Sequence, residues 1–176
     1  KSNGTAGFLD MLGSVPWKKH VHLHVSDKNT RADLNAILSG YQEGWHVCTC
    51  GPDRYMDGVI QAAEQQGFPE ESRHLEYFSV PEQPDYVNHN FTLKLAKTDR
   101  EFLVPADKTA TDVLAENGIH IDVKCSDGIC GVCKCGLVSG EVEHRDWVLS
   151  NKQKETSIIL CQSRAKEEGG IVEIDL

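Results

Sequence analysis

The sequence predicts an α/β segment followed by a small α+β domain, and three observations carry that prediction. Strand-like and helical runs alternate before residue 79. A polar stretch holding Pro81 and Pro84 spans 79–90. Beyond it come a hairpin pattern, a short helix, a cysteine-rich loop and a closing strand, in that order. At 176 residues, 39% hydrophobic and 26% charged, the chain fits a soluble globular protein of one or two domains. No apolar run approaches membrane-spanning length, so no membrane association is expected. The net charge of −9 divides into −5 for residues 1–85 and −4 for 86–176. No basic stripe is visible, so nucleic acid is not an expected partner.

In the first segment, His20–Val25 alternates polar and apolar residues and predicts a strand. Arg31–Leu38 has helical spacing. Trp45–Cys50 is a short β-rich run, broken by Gly51-Pro52, and Asp53–Gln66 predicts a second helix with Val59, Ala62 and Ala63 on its buried face. Gly67 ends that helix and His74–Phe78 is again strand-like. Strands alternating with helices imply a parallel, doubly wound sheet, although three strands are few for an independent nucleotide-binding domain. His20, His22 and His24 would share one strand face; we read them as its polar side, with Val21, Leu23 and Val25 facing inward. A linker is placed at 79–88, dividing residues 1–78 from 89–176.

The second segment opens with alternating Phe91–Lys97, turns at 98–100 and returns over Glu101–Pro105 as a hairpin. Thr109-Ala110-Thr111-Asp112 forms a capping box, with an acid where Glu or Gln is usual, ahead of a helix stopped by Gly118. Lys134–Val138 and Ile171–Leu176 read as strands.

Between them lies the most specific signal. Cys125, Cys130 and Cys133 are spaced C-x4-C-x2-C, and 27 residues separate Cys133 from Cys161. That is the ligand spacing of a plant-type [2Fe–2S] cluster. One loop can supply three thiolates if it bends sharply, which Gly128 and Gly131 permit. Its inward amides can then hydrogen-bond the sulfurs. A structural zinc site would more naturally show two close cysteine pairs. Seven cysteines is an odd number and no secretory signal opens the chain, which argues against disulfides and for a reducing compartment, the cytoplasm. Cys135 makes C-x-C with Cys133, but we read it as a packing residue on the departing strand. No Ser/His/Asp arrangement or carboxylate pair suggests hydrolysis, so no catalytic side chain is assigned. With the cysteines, the hairpin, helix, loop and closing strand suggest the β-grasp fold of ferredoxins.

Further motifs carry a resemblance. Cys50-Gly51-Pro52-Asp53 ahead of a helix looks like the turn that faces the nicotinamide in ferredoxin–NAD(P) reductase-type domains. His74-Leu75-Glu76-Tyr77-Phe78 looks like the segment closing such a domain, with Phe78 matching an aromatic near the flavin. Lys1-Ser2 and Ala6–Asp10 resemble a degenerate copy of an earlier segment. Gly140–Asp146 and Leu160–Ala165, with the cysteine loop, match a ferredoxin module. In this order the chain resembles the phthalate dioxygenase reductase family, which includes the reductases of vanillate O-demethylase and carnitine monooxygenase. The implied fold is the C-terminal half of a reductase-type nucleotide-binding domain followed by a β-grasp [2Fe–2S] domain.

The resemblance implies Cys50, Gly51, Pro52, Asp53 and Phe78 as cofactor-binding positions, and Cys125, Cys130, Cys133 and Cys161 as metal ligands. It implies NAD(P)H and FMN in the full-length protein and a Rieske-type oxygenase as electron acceptor. The family's flavin-barrel motif and its glycine-rich nucleotide turn are missing. The chain is therefore expected to be the C-terminal piece of a longer reductase, its flavin-binding domain lying in the same or another chain. It is expected to bind the cluster but not to oxidise NADH alone. A stand-alone [2Fe–2S] electron carrier and a zinc-bound module are the alternatives.

Overall fold

The structure, a computed structural model, describes residues 7–25 and 31–176. The chain starts with helix α1 (Leu9–Ser14), a 3-10 turn at Lys18–His20 and helix α2 (Leu34–Leu38). Asp33 caps α2 by accepting from the Ala36 amide at 3.1 Å. Strand β1 (Val47–Cys50), helix α3 (Asp53–Gln65) and strand β2 (Arg73–Glu76) follow. β1 and β2 pair in parallel, Val47 opposite Arg73 and Cys50 opposite Glu76, with α3 as the crossover. Met56, Val59, Ala62 and Ala63 fall on one stripe of α3, which the 3.6-residue period demands of a helix packed on one side. The core here is Val47, Val59, Ala63 and Phe68, backed by the Tyr41 ring 4.6 Å from Phe68.

The strand expected at His20–Val25 does not form. His20 ends the 3-10 turn and 21–25 carry no strand assignment. Alternation favours a strand only where a neighbour completes its ladder, and the β1–β2 sheet has two members. Val25 is buried as expected, but Leu23 is 51% exposed, and His20, His22 and His24 all face outward. Of the N-terminal segment singled out by resemblance, Lys1–Ala6 lie outside the described residues and Leu9-Asp10 begin α1.

No regular element lies between Glu76 and Phe91. Beyond it, a five-stranded mixed sheet is ordered β4-β3-β9-β5-β7, from β3 (Phe91–Leu95), β4 (Arg100–Val104), β5 (Lys134–Ser139), β7 (Ser157–Ile159) and β9 (Ile171–Ile174). β3 and β4 form the expected hairpin, turned at Asp99 with φ 54°. The C-terminal β9 inserts beside β3 in parallel, closing the sheet with the end of the chain. Helix α4 (Ala110–Glu116) carries the predicted capping box: Thr109 accepts from the Asp112 amide, and Asp112 accepts from the Thr109 amide at 2.9 Å. Two short strands, β6 (Val142–Glu143) and β8 (Arg164–Ala165), pair outside the main sheet, and a single-turn helix α5 (Asn151–Lys154) precedes β7.

The core of this sheet is larger. Phe91, Leu93 and Leu95 alternate inward along β3 and meet Val172 and Ile174 of β9, Leu114 of α4 and Ile158 of β7. A smaller cluster joins Cys133 and Cys161 to Leu149 and Ile159, so one loop cysteine and the distant Cys161 sit in apolar packing.

Candidate metal centre

The cysteine loop lies between α4 and β5. Its curvature comes from three departures from ordinary backbone within six residues: Ser126, Gly128 and Gly131 have φ of 62°, 73° and 72°. At Gly128 the need for glycine is doubled. A Cβ there would lie 3.0 Å from the Arg145 carbonyl oxygen and 3.2 Å from the Asp146 Cα. The Gly128 carbonyl accepts from the Trp147 amide at 3.0 Å, and Gln162 Nε2 donates to the Ser126 carbonyl at 2.6 Å. The loop is thus held from behind by 145–147 and from the side by the segment after Cys161.

Two sulfur pairs result. Cys125 and Cys130 approach to 3.1 Å between Sγ atoms. Cys133 and Cys161 lie together in one buried cluster with Leu149 and Ile159, 2% and 1% exposed. Gln162, next to Cys161, makes the bond to the Ser126 carbonyl, so the segment arriving from far along the chain lies against the loop. Burial works against a thiolate at Cys125, but the amides of Asp127, Ile129 and Cys130, with the Cys130 thiol, outweigh it and hold Cys125 below its ordinary value. The Cys161 thiol, donating to Cys133, brings Cys133 down to about 6 against the opposing effect of burial. Cys161 keeps that proton and is pushed up.

Among the described residues, no group of three or more His, Cys, Asp or Glu side chains is gathered closely enough to hold a metal ion. A tetrahedral zinc site wants all four ligands on one centre. A two-iron, two-sulfide core wants two thiolates at each end and sulfur acceptors surrounded by amide donors. The paired sulfurs and inward amides fit the second demand. Cys135 behaves otherwise: it lies on β5 against the main core, and burial pushes its thiol up.

The other expected positions are elsewhere. Cys50 ends β1 half-buried; Gly51 and Pro52 turn the chain, and Asp53 is the first residue of α3. The Cys50–Glu76 register puts that turn and Phe78, two residues past β2, at the same end of the two-stranded sheet. Phe78 is 85% exposed. The histidines that come together are not those of the 20–24 stripe but His46 and His74, with Nδ1 and Nε2 2.8 Å apart. They lie 28 residues apart in sequence, and only strand pairing reveals them. Between the two sheets, Glu70 Oε1 accepts from the Asn151 amide at 2.9 Å and the Tyr77 and Trp147 rings lie 6.0 Å apart. They border a cleft of about 610 Å³ whose walls include Ile60, Arg73, Trp147 and Leu149.

Residues 93–166 match the 2Fe-2S iron-sulfur cluster binding domain family. The chain is 33% identical to a carnitine monooxygenase reductase subunit of Escherichia coli, over 92% of this chain and 50% of that protein. It is 34% identical to a vanillate O-demethylase oxidoreductase of Pseudomonas sp., over 94% of this chain and 54% of that protein. It therefore spans about half the length of the curated relatives it matches. Phthalate dioxygenase reductase, solved as a modular structure for electron transfer from pyridine nucleotides to [2Fe-2S], superposes with a TM-score of 0.57 at 32% identity, over 96% of this chain and 52% of that one. Full-length CYP116B46 from Tepidiphilus thermophilus superposes with a TM-score of 0.77 at 30% identity, over 100% of this chain and 23% of that one. An intact type IV self-sufficient cytochrome P450 monooxygenase gives 0.67 at 28%, over 99% and 23%. The chain carries a 2Fe-2S domain and is related, over most of its length, to the phthalate dioxygenase reductase family of oxygenase reductases.

Proposed function

We propose that this chain is the electron-delivering part of an NAD(P)H-dependent oxygenase reductase. Its residues divide into a partial nucleotide-binding unit (1–78), a linker (79–88) and a β-grasp [2Fe–2S] domain (89–176). Cys125 and Cys130 hold one iron, Cys133 and Cys161 the other. When bound, such a cluster accepts and releases a single electron. The protein's part is to supply four thiolates, to turn the amides of 127–130 toward the sulfurs, and to keep water from the Cys133–Cys161 end. Cys130 is exposed while Cys133 and Cys161 are buried, so an acceptor approaches from the Cys125–Cys130 side. The observation that carries this reading is the close approach of Cys125 to Cys130 together with the joint burial of Cys133 and Cys161.

In the nucleotide unit, Cys50, Gly51, Pro52 and Asp53 face the nicotinamide, and the start of the 13-residue α3 turns its positive end the same way. Phe78 would stand beside the flavin. NAD(P)H supplies electrons in pairs and a [2Fe–2S] centre takes one at a time, so a flavin, FMN, would be needed to divide the pair. This chain alone does not oxidise NADH; a flavin-binding domain, in the same chain or another, is required. Among the described residues no helix is long and apolar enough to cross a membrane, and the cysteine usage suits the cytoplasm.

The acceptor is an oxygenase, as the names of the reductase relatives suggest, and the resemblance to the phthalate dioxygenase reductase family implies a Rieske-type one. A second reading, a cytochrome P450 haem as acceptor, is favoured by the superposition on the two P450 structures over essentially the whole chain. Mixing the iron-loaded, chemically reduced chain with each kind of oxygenase under stopped flow separates them. Faster oxidation by the Rieske component supports the first reading, and faster oxidation by the P450 supports the second. Oxidation by neither at any concentration contradicts both.

A further inference from the structure

The linker between the two units is proline-bearing and polar, a composition that reads as a loose tether. Its second half is instead tied down by a buried arginine. Arg145 is 7% exposed, and its guanidinium donates to the Asn88 side chain at 2.6 Å and the Val87 carbonyl at 3.1 Å. It pairs with Glu143 and stacks 4.4 Å over the Tyr86 ring. A buried guanidinium persists only where its donors are satisfied, and here the linker supplies most of the acceptors. Arg164, also buried, repeats the arrangement one step on, donating to the His89 carbonyl at 2.8 Å.

The main chain of Arg145 meets the cysteine loop. Its carbonyl oxygen is the atom nearest the missing Cβ of Gly128, and it also accepts from Gln83 Nε2 at 3.4 Å. Its amide contacts Ser163 Oγ, two residues beyond Cys161. One residue therefore touches the linker with its side chain and both cysteine-bearing segments with its backbone.

We propose that Arg145 is a positioning residue that makes residues 83–90 and the loop 125–133 a single mechanical unit. A displacement of the linker is then transmitted to the amides that face the sulfurs, and pivoting between the units is confined to 77–82. The idea rests on the reading of 125–133 as a cluster cradle for its consequence, but not for its geometry.

The test is segment-resolved amide hydrogen exchange on the whole chain, with iron content measured alongside. The variants are Arg145→Ala, Arg145→Lys and Asn88→Ala. Asn88 is a linker residue, so Asn88→Ala probes transmission even if Arg145→Ala fails to fold. The expected result is exchange at 126–131 about tenfold faster in Arg145→Ala and Asn88→Ala, the scale of one lost charge-assisted hydrogen bond. Amides of β3 and β9 should not move, and Arg145→Lys should not restore the wild-type rate, since lysine has the charge without the fork. The visible circular dichroism of the iron-loaded chain should also change in Asn88→Ala. An unchanged loop or an unchanged dichroism in Asn88→Ala overturns the proposal, as does equal loosening of β3 and β9. Failure of the wild-type chain to take up iron would sink the proposed function and leave this exchange result standing.

Discussion

The two sheets of this molecule are built on different scales. The β1–β2 sheet has two strands and a core of Val47, Val59, Ala63 and Phe68. The β4-β3-β9-β5-β7 sheet has five strands and twelve buried side chains in its main cluster. Exposed aromatic side chains follow the same division among the described residues: Phe8 is 77% exposed, Trp17 53% and Phe78 85%, all before residue 79. A two-stranded sheet is marginal in water, while three or more strands with a packed face stand alone. One region thus carries its own stability, and the other depends on what it packs against.

Native-state amide exchange should show the largest effect. Amides of β3 and β9 should open only with global unfolding, and those of β1 and β2 about a thousandfold more readily, a gap of about 4 kcal/mol. Equal protection in both sheets would break the comparison. Next is Leu93→Ala. Leu93 is fully buried at the centre of the larger core, so its truncation should cost about 2–5 kcal/mol in denaturant unfolding. It should leave exchange at β1 unchanged; a matching loss there would mean the sheets unfold as one.

Gly128→Ala is expected to be smaller, about 1–3 kcal/mol, because it combines a positive φ with a crowded Cβ. Its loss should appear both in unfolding and in retention of iron, whereas alanine at Gly118, where a Cβ meets nothing, should spare the iron. The smallest effect belongs to the α4 cap. Thr109→Ala should cost about 1 kcal/mol. Asp112 is held below the usual carboxylate range chiefly by the Thr109 hydroxyl and amide. A lowered folded pKa stabilises above the unfolded value, so the cap's contribution should fade as pH drops through the ordinary carboxylate range and below. Thermal unfolding of wild type and Thr109→Ala should converge there; a constant difference would contradict the assignment.

Legibility in the sequence follows the same line. The hairpin, the Thr109 capping box, β5 and β9 were readable because each rests on local signals: alternation, cap chemistry, a turn. The four cysteines stood out because their spacing is that of plant-type cluster ligands, and the structure brings Cys125 and Cys130 together. The β7 strand was not, since Ser157-Ile158-Ile159 is too short to show a period. His20–Val25 shows the reverse error, a clear period with no place in a sheet. Arg145 lay within Gly140–Asp146, a segment singled out only for its match to a ferredoxin module. Its role depends on contacts 57 residues back in the chain, which no local pattern encodes. His46 and His74 meet for the same kind of reason, through β1–β2 register.

The central claim concerns which sulfurs hold metal, and content analysis after anaerobic loading tests it most directly. The account predicts two irons and two acid-labile sulfides per chain, lost in Cys130→Ser and retained in Cys135→Ser. A single bound zinc, or equal iron loss from both variants, would contradict it.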